Sequence, residues 1–307
     1  MQIVIIGAGN WGTALANIFG RTHRVLLATR TAEQADEINR LRENTRYLKG
    51  IRIPDSVQAA QFGTVAIEKE ATIIISVPSH QVRIVAQRLK DTVNGQPIIC
   101  ASKGFEHASM KTMSEVLQDE LPASPIAVMS GPNIAREIAE GKPTRAVLAS
   151  RNVAVLARIS RELKNDLITF EVCNDVKGVE LCAALKGIIA IGVGIVDGLG
   201  LGANFTGVLM TYGLREFVQI AEFLGIPHKT IYGIAGLGDM IATCLSADSR
   251  NRRFGYLIGR GMQPAKALES VGMVVEGVQM AKTVAELDGM NIPIPLFSTI
   301  TKIIFEP

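Results

Sequence analysis

The residues QIVIIGAGNWG at positions 2–12 constrain this chain more than any others. Residues 2–6 are apolar and mostly β-branched, and glycine follows at once, the pattern of a strand buried in a parallel sheet. Gly7, Gly9 and Gly12 then stand in GxGxxG spacing, between that strand and a helical pattern reaching about Gly20. In this setting glycines turn the chain tightly and let backbone close on an anion at a helix N-terminus, which predicts a pyrophosphate site. The strand starts at residue 2, so no secretory leader is expected ahead of it.

Residues 24–29 (RVLLAT) read as the second strand. An NAD-specific fold carries an acid after it for the ribose hydroxyls, but here Arg30 stands there and the first acid is Glu33. A guanidinium suits the 2′-phosphate of NADP, so NADP(H) is favoured and NAD(H) stays open. Residues 31–44 look helical and residues 44–61 loop-rich. Further strands are expected at 71–77, 97–101, 126–129, 144–149 and 167–172. This alternation predicts an α/β, Rossmann-like domain over residues 1–173, doubly wound on a mainly parallel sheet. Lys103 comes at the tip of the 97–101 strand, where a cation faces the ligand crevice. Asn133 is a candidate N-cap for a helix opening at 134–137. His80, at a helix start, reads as polar rather than catalytic.

After residue 173 strand-like runs stop, and helix-length patterns with glycine breaks predict an all-helical domain over residues 174–307. Two-domain oxidoreductases place their substrate in a cleft between such domains. The stretch VELCAALKGIIAIGVGIVDGLGLGAN at 179–204 carries one side chain of clear charge between Glu180 and Asp197, namely Lys186. A lysine in such surroundings either reaches water along its stem or has its pKa lowered by desolvation, and then exchanges protons near neutrality. The run is too short, too glycine-rich and too interrupted for a membrane span, so no membrane insertion is expected. Asp239 follows Gly236-Leu237-Gly238 either as a site carboxylate or as a helix N-cap. Ser249-Arg250-Asn251-Arg252-Arg253 concentrates donors matching phosphate oxygens; a solvated charge run and a nucleic-acid patch are the alternatives.

Composition narrows the class. The 307 residues are 48% hydrophobic with a net charge of +3, enough for two cores and too balanced for a nucleic-acid partner. Cys100, Cys173, Cys182 and Cys244 have neither CxxC spacing nor a nearby histidine. They read as reduced core thiols of a cytoplasmic protein, and no metal site is expected.

The chain resembles the bacterial NAD(P)-dependent glycerol-3-phosphate dehydrogenases. The resemblance rests on GAGNWGTALA at 7–16, SKG at 102–104, GPNIAREIAEGKPT at 131–144, ALKGIIAIGVGIVDGLGLGAN at 184–204, GLGD at 236–239, SRNRRFG at 249–255 and VVEG at 274–277. It implies interconversion of sn-glycerol 3-phosphate and dihydroxyacetone phosphate, supply of glycerol backbones to phospholipids, and a cytoplasmic homodimer. It implies that Lys186 is the proton acceptor and that Lys103, Gly131, Asn133, Asp239, Ser249, Arg250 and Asn251 contact the phosphorylated substrate. Asn10, Trp11, Arg30, Lys103, Ala135, Arg250, Val274 and Glu276 line the cofactor site by the same resemblance. The family usually has Asn or Asp after the lysine. Gly187 offers no such side chain and is expected to loosen the helix. The chain also ends at Pro307, short of the usual family length, so a closing terminal helix is expected to be missing. Two rival readings stay open: a β-hydroxyacid dehydrogenase of the same plan, which has no use for the SRNRRFG cluster, and a non-catalytic NAD(P)-sensing protein.

Overall fold

A computed structural model describes the chain except residues 65, 107, 108, 289–291 and 307. Its contacts divide the chain into two compact units. The first holds residues 1–102, 113–129 and 133–176; the second holds 177–307 together with the short segments 103–112 and 130–132. Lys103 and Gly131 therefore leave the sheet's unit and belong to the helical one.

The first unit alternates strands and helices: β1 (Gln2–Ile6), α1 (Asn10–Phe19), β2 (Arg24–Thr29), α2 (Ala32–Leu41), β3 (Val57–Gln61), β4 (Thr72–Ile75), α3 (Val82–Leu89) and β5 (Ile98–Cys100). It continues through α4 (Met113–Glu120), β6 (Ile126–Ser130), α5 (Ala135–Ala139), β7 (Thr144–Ala149), α6 (Val153–Leu163) and β8 (Ile168–Cys173). The sheet order is β3-β2-β1-β4-β5-β6-β7-β8. β1 pairs in parallel with β2 from Gln2↔Arg24 to Ile6↔Ala28, and with β4 from Ile3↔Thr72 to Ile6↔Ile75. The chain order reverses between β1 and β4, so the carboxyl ends of these two strands flank the switch point where doubly wound sheets take their ligand. β1 and β4 are buried along their whole length, which is why they read as unbroken apolar runs.

β3 corrects the expectation of a loop through residue 61. VQAAQ carries one β-branched residue and sits at the sheet edge, so its own propensity is weak. Pairing with β2 from Val25↔Val57 to Thr29↔Gln61 and the Asn39 side chain hold it instead; Asn39 donates to Ala59 O at 2.8 Å and accepts from its amide at 2.8 Å. Asn133 is likewise not an N-cap: α5 starts at Ala135, and Ile134 occupies the cap position. Among the cysteines, Cys100, Cys182 and Cys244 are buried, whereas Cys173 at the end of β8 is half-buried.

The second unit is built from α7 (Val176–Leu199), α8 (Gly202–Phe223), α9 (His228–Tyr232), α10 (Asp239–Leu245), α11 (Arg250–Gly259), α12 (Pro264–Val271), α13 (Glu276–Asp288) and α14 (Pro295–Phe305). α7 is its centre. An 18-residue window of this helix has mean hydropathy 2.1, apolar enough to cross a membrane, yet 94% of it is buried inside the protein. A helix apolar on every side is a core helix when other helices enclose it. α11 encloses one side through backbone contact. A Cβ on Gly194 would lie 2.0 Å from the Arg252 carbonyl oxygen, and one on Gly255 would lie 2.0 Å from that of Ile191. Gly198 and Gly259 repeat the contact one turn on, with the Cβ position on Gly198 2.4 Å from the Tyr256 carbonyl oxygen and that on Gly259 2.4 Å from the Ile195 carbonyl oxygen. The glycines read as helix breaks thus mark a close crossing. On another side Glu216 of α8 accepts the Leu296 and Phe297 amides at 2.6 and 2.8 Å, capping α14 from outside, and Phe217 meets Phe297 edge-on at 6.1 Å.

Candidate active site

The glycine turn after β1 fits a pyrophosphate. Gly7 has φ +110°, and a Cβ there would strike the Ser76 carbonyl oxygen at 2.3 Å. Gly12 packs its Cα face on the Gly7 carbonyl, 1.8 Å from where a Cβ would be. Gly9 differs, because nothing lies within 4 Å of its Cβ position. Only an incoming group needs glycine at that point, and the first turn of α1 has no side-chain cap to compete with it. Gln34 and Asn44 steady the turn by donating to Ala8 O at 3.2 and 3.0 Å. Asn10 Oδ1 is buried without a hydrogen-bond partner among the described residues. Trp11 and Ala135 pack on the same small cluster of Ala14, Leu48 and Ala139. Arg30 is exposed at the end of β2 and makes no ion pair among the described residues.

In the helical unit Lys186 is 8% exposed and pairs directly with Asp239 Oδ1. Lys103 Nζ sits 3.1 Å from the other oxygen, Oδ2. Asp239 is fully buried, so one carboxylate neutralises part of two cations away from water. Burial pulls the Lys186 ammonium down to about 7, and the Lys103 charge adds to that; Asp239 opposes it without winning. The stem does not snorkel. The carboxylate is aimed by an unusual turn, for Gly238 N donates to Gly233 O, an i→i−5 bond, and residues 234–238 are wound as a π-helical turn. Such turns recur at functional sites. A Cβ on Gly236 would lie 2.1 Å from the Ile231 carbonyl oxygen, so only glycine passes there. Asp239 is the first residue of α10, and its carboxylate serves the lysines. Thr243, one turn on, donates its hydroxyl to Asp239 Oδ1 at 3.4 Å. Sequence reasoning missed Thr243 as a site residue, although its i+4 spacing from Asp239 was a usable signal.

The arginine cluster is divided. Ser249 caps α11 by accepting the Arg252 amide at 3.3 Å, and Arg250 and Asn251 follow half-buried in the first turn. Arg252 is committed elsewhere, with Nη2 and Nε at 2.7 and 2.8 Å from Asp197 Oδ2, while Arg253 is exposed. Of the cluster's three arginines, Arg250 stands with Ser249 and Asn251 at the N-terminus of α11, the three residues expected there as substrate contacts.

The model of the NAD-dependent glycerol-3-phosphate dehydrogenase N-terminus matches residues 2–156, and that of the C-terminus matches residues 175–307. The chain belongs to the NAD-dependent glycerol-3-phosphate dehydrogenase family. It is 40% identical to glycerol-3-phosphate dehydrogenase [NAD(P)+] of Thermoanaerobacter sp., covering 100% of this chain and 93% of that protein. Against the Clostridium tetani protein of the same name the identity is 36%, over 99% and 88% of the two chains. The crystal structure of glycerol-3-phosphate dehydrogenase from Coxiella burnetii superposes with TM-score 0.94 at 35% identity, covering 99% of this chain and 94% of that one. Membership makes the chain an NAD(P)-dependent oxidoreductase with a Rossmann-like domain and a helical one.

The remaining family positions fall in three places. Gly131, φ +127° and buried, turns the chain after β6. Asn133 follows with both carboxamide atoms buried and without a hydrogen-bond partner among the described residues. Val274 is exposed before α13, and Glu276 is that helix's first residue, half-buried.

Proposed function

We propose that this enzyme interconverts sn-glycerol 3-phosphate and dihydroxyacetone phosphate with Lys186 as the proton donor and acceptor. The buried lysine held between Asp239 and the charge of Lys103 is the observation that carries the reading. Bound NAD(P)H supplies the reducing equivalent for the carbonyl carbon. In that direction the Lys186 ammonium donates its proton to the forming C2 alkoxide, and in reverse the neutral amine removes the hydroxyl proton. A group titrating at about 7 has both forms available near neutral pH. Lys103 and Asp239 orient the substrate and set the charge around Lys186. Ser249, Arg250 and Asn251 hold the phosphate at the N-terminus of α11, so binding energy far from the carbonyl positions it. Gly131 and Asn133 complete the substrate contacts.

Gly7, Gly9, Asn10, Trp11 and Gly12 take the pyrophosphate end of the cofactor, with Lys103, Ala135, Arg250, Val274 and Glu276 lining the rest. Arg30 takes a 2′-phosphate, which makes NADP(H) the preferred form. The same reading includes a cytoplasmic homodimer that supplies glycerol 3-phosphate to phospholipid synthesis. Following NADPH absorbance with dihydroxyacetone phosphate tests it. Oxidation is the expected result; oxidation only with a β-keto acid, or NADPH binding without turnover, contradicts it.

A further inference from the structure

The residue after Lys186 is Gly187, in the middle of α7. α7 runs unbroken through Gly187, so the glycine does not loosen it. A Cβ on Gly187 would lie 2.9 Å from Gly277 Cα, 3.2 Å from Gly277 N and 3.1 Å from Asn251 Nδ2. The contact is reciprocal, for a Cβ on Gly277 would lie 2.7 Å from the Gly187 carbonyl oxygen. Two helices thus touch through bare backbone beside the lysine. Asn251 closes the junction from a third helix: its Oδ1 accepts the Gly277 amide at 3.0 Å. That amide is in the first turn of α13, where no partner exists inside the helix. The Asn251 amide nitrogen fills the space that a side chain at 187 would enter.

We propose that Gly187, Asn251 and Gly277 form one interdependent clamp in which Asn251 fills the space beside Gly187 and positions the first turn of α13 against α7 beside Lys186. Asn251 is then a positioning residue as well as a phosphate contact. The part concerning turnover rests on the function proposed above; the part concerning packing does not. The clamp also predicts that a side chain at position 187 is harmful, because it meets Gly277 backbone that cannot rotate away.

The test is a double-mutant cycle on the full-length enzyme, read by Tm and by kcat and KM for dihydroxyacetone phosphate. Gly187→Asn and Asn251→Ala should each lower both Tm and kcat. The double variant should lose less Tm than the sum of the two single losses, the non-additivity expected of residues sharing one contact. Asn251→Asp keeps the acceptor for Gly277 and should hold Tm and kcat while raising KM, since a carboxylate then faces the substrate phosphate. Additive effects in the cycle, or an Asn251→Ala variant altered in KM alone, would overturn the clamp. If the native enzyme does not turn over this substrate, the function fails, and coupling or additivity in Tm still decides the clamp.

Discussion

Lys186 sits between two neighbours that pull its proton affinity in opposite directions, so each makes a signed prediction. Lys103 lowers it through like charge, and removing that charge in Lys103→Met should move the alkaline limb of carbonyl reduction to higher pH. Asp239 raises it, so Asp239→Asn should move the same limb to lower pH, besides slowing turnover. Both shifts are read from kcat against pH. Opposite signs distinguish a change of charge at the lysine from simple damage, which would lower the curve without displacing it. Cys244 sharpens the contrast between buried groups. Its thiol is pushed up to about 12, chiefly by burial, so it is an inert core residue beside a reactive one. Arg30 makes a separate prediction about the cofactor. Arg30→Ala should lower kcat/KM for NADPH roughly tenfold, one bidentate phosphate contact, and leave NADH nearly unchanged. Equal losses with both would remove its 2′-phosphate role.

At the scale of elements, α7 and α11 cross through close glycine contacts, and the Asp197–Arg252 ion pair joins the same two helices. A methyl group at Gly194 has no space beside the Arg252 carbonyl, so Gly194→Ala should force the helices apart. The expected cost is about 1–3 kcal/mol or more, measured as a lower Tm, with α11 displaced from its place at residue 187. A variant as stable as the native protein would show that the crossing yields easily. α14 depends on a different device, the Glu216 carboxylate on two backbone amides. Glu216→Ala leaves those amides without their acceptor and should destabilise the fold by about 1–3 kcal/mol in denaturant unfolding. Burial already raises the pKa of this carboxyl, and the two amides oppose that rise by favouring its charged form.

For the whole molecule, what was legible in the sequence was what periodicity and motif spacing encode locally. The buried strands showed as apolar runs, the α7 core as an apolar, glycine-broken helical run carrying one lysine, and the glycine turn as GxGxxG after a strand. β3 was not legible because an edge strand of Gln and Ala draws its stability from its neighbour. The lysine–aspartate centre was legible as residue types but not as geometry, since Lys103 and Asp239 stand 136 residues apart in the chain. Arg252 could not be separated from the rest of its cluster, because its partner Asp197 lies 55 positions away. Gly187 misled for the same reason, because its partner Gly277 is remote in sequence and invisible to a local rule.

The direct test of the central claim, a buried lysine exchanging the proton in both directions, is the pH dependence of kcat for carbonyl reduction and for alcohol oxidation by the native enzyme and Lys186→Met. Reduction should fall as pH rises through about 7, where the ammonium is lost, and oxidation should fall as pH drops through the same value. Lys186→Met should fold, bind NADPH, lose roughly 10²-fold in turnover and lose both limbs. Near-native turnover in that variant, or limbs that persist unchanged without the lysine, would contradict it.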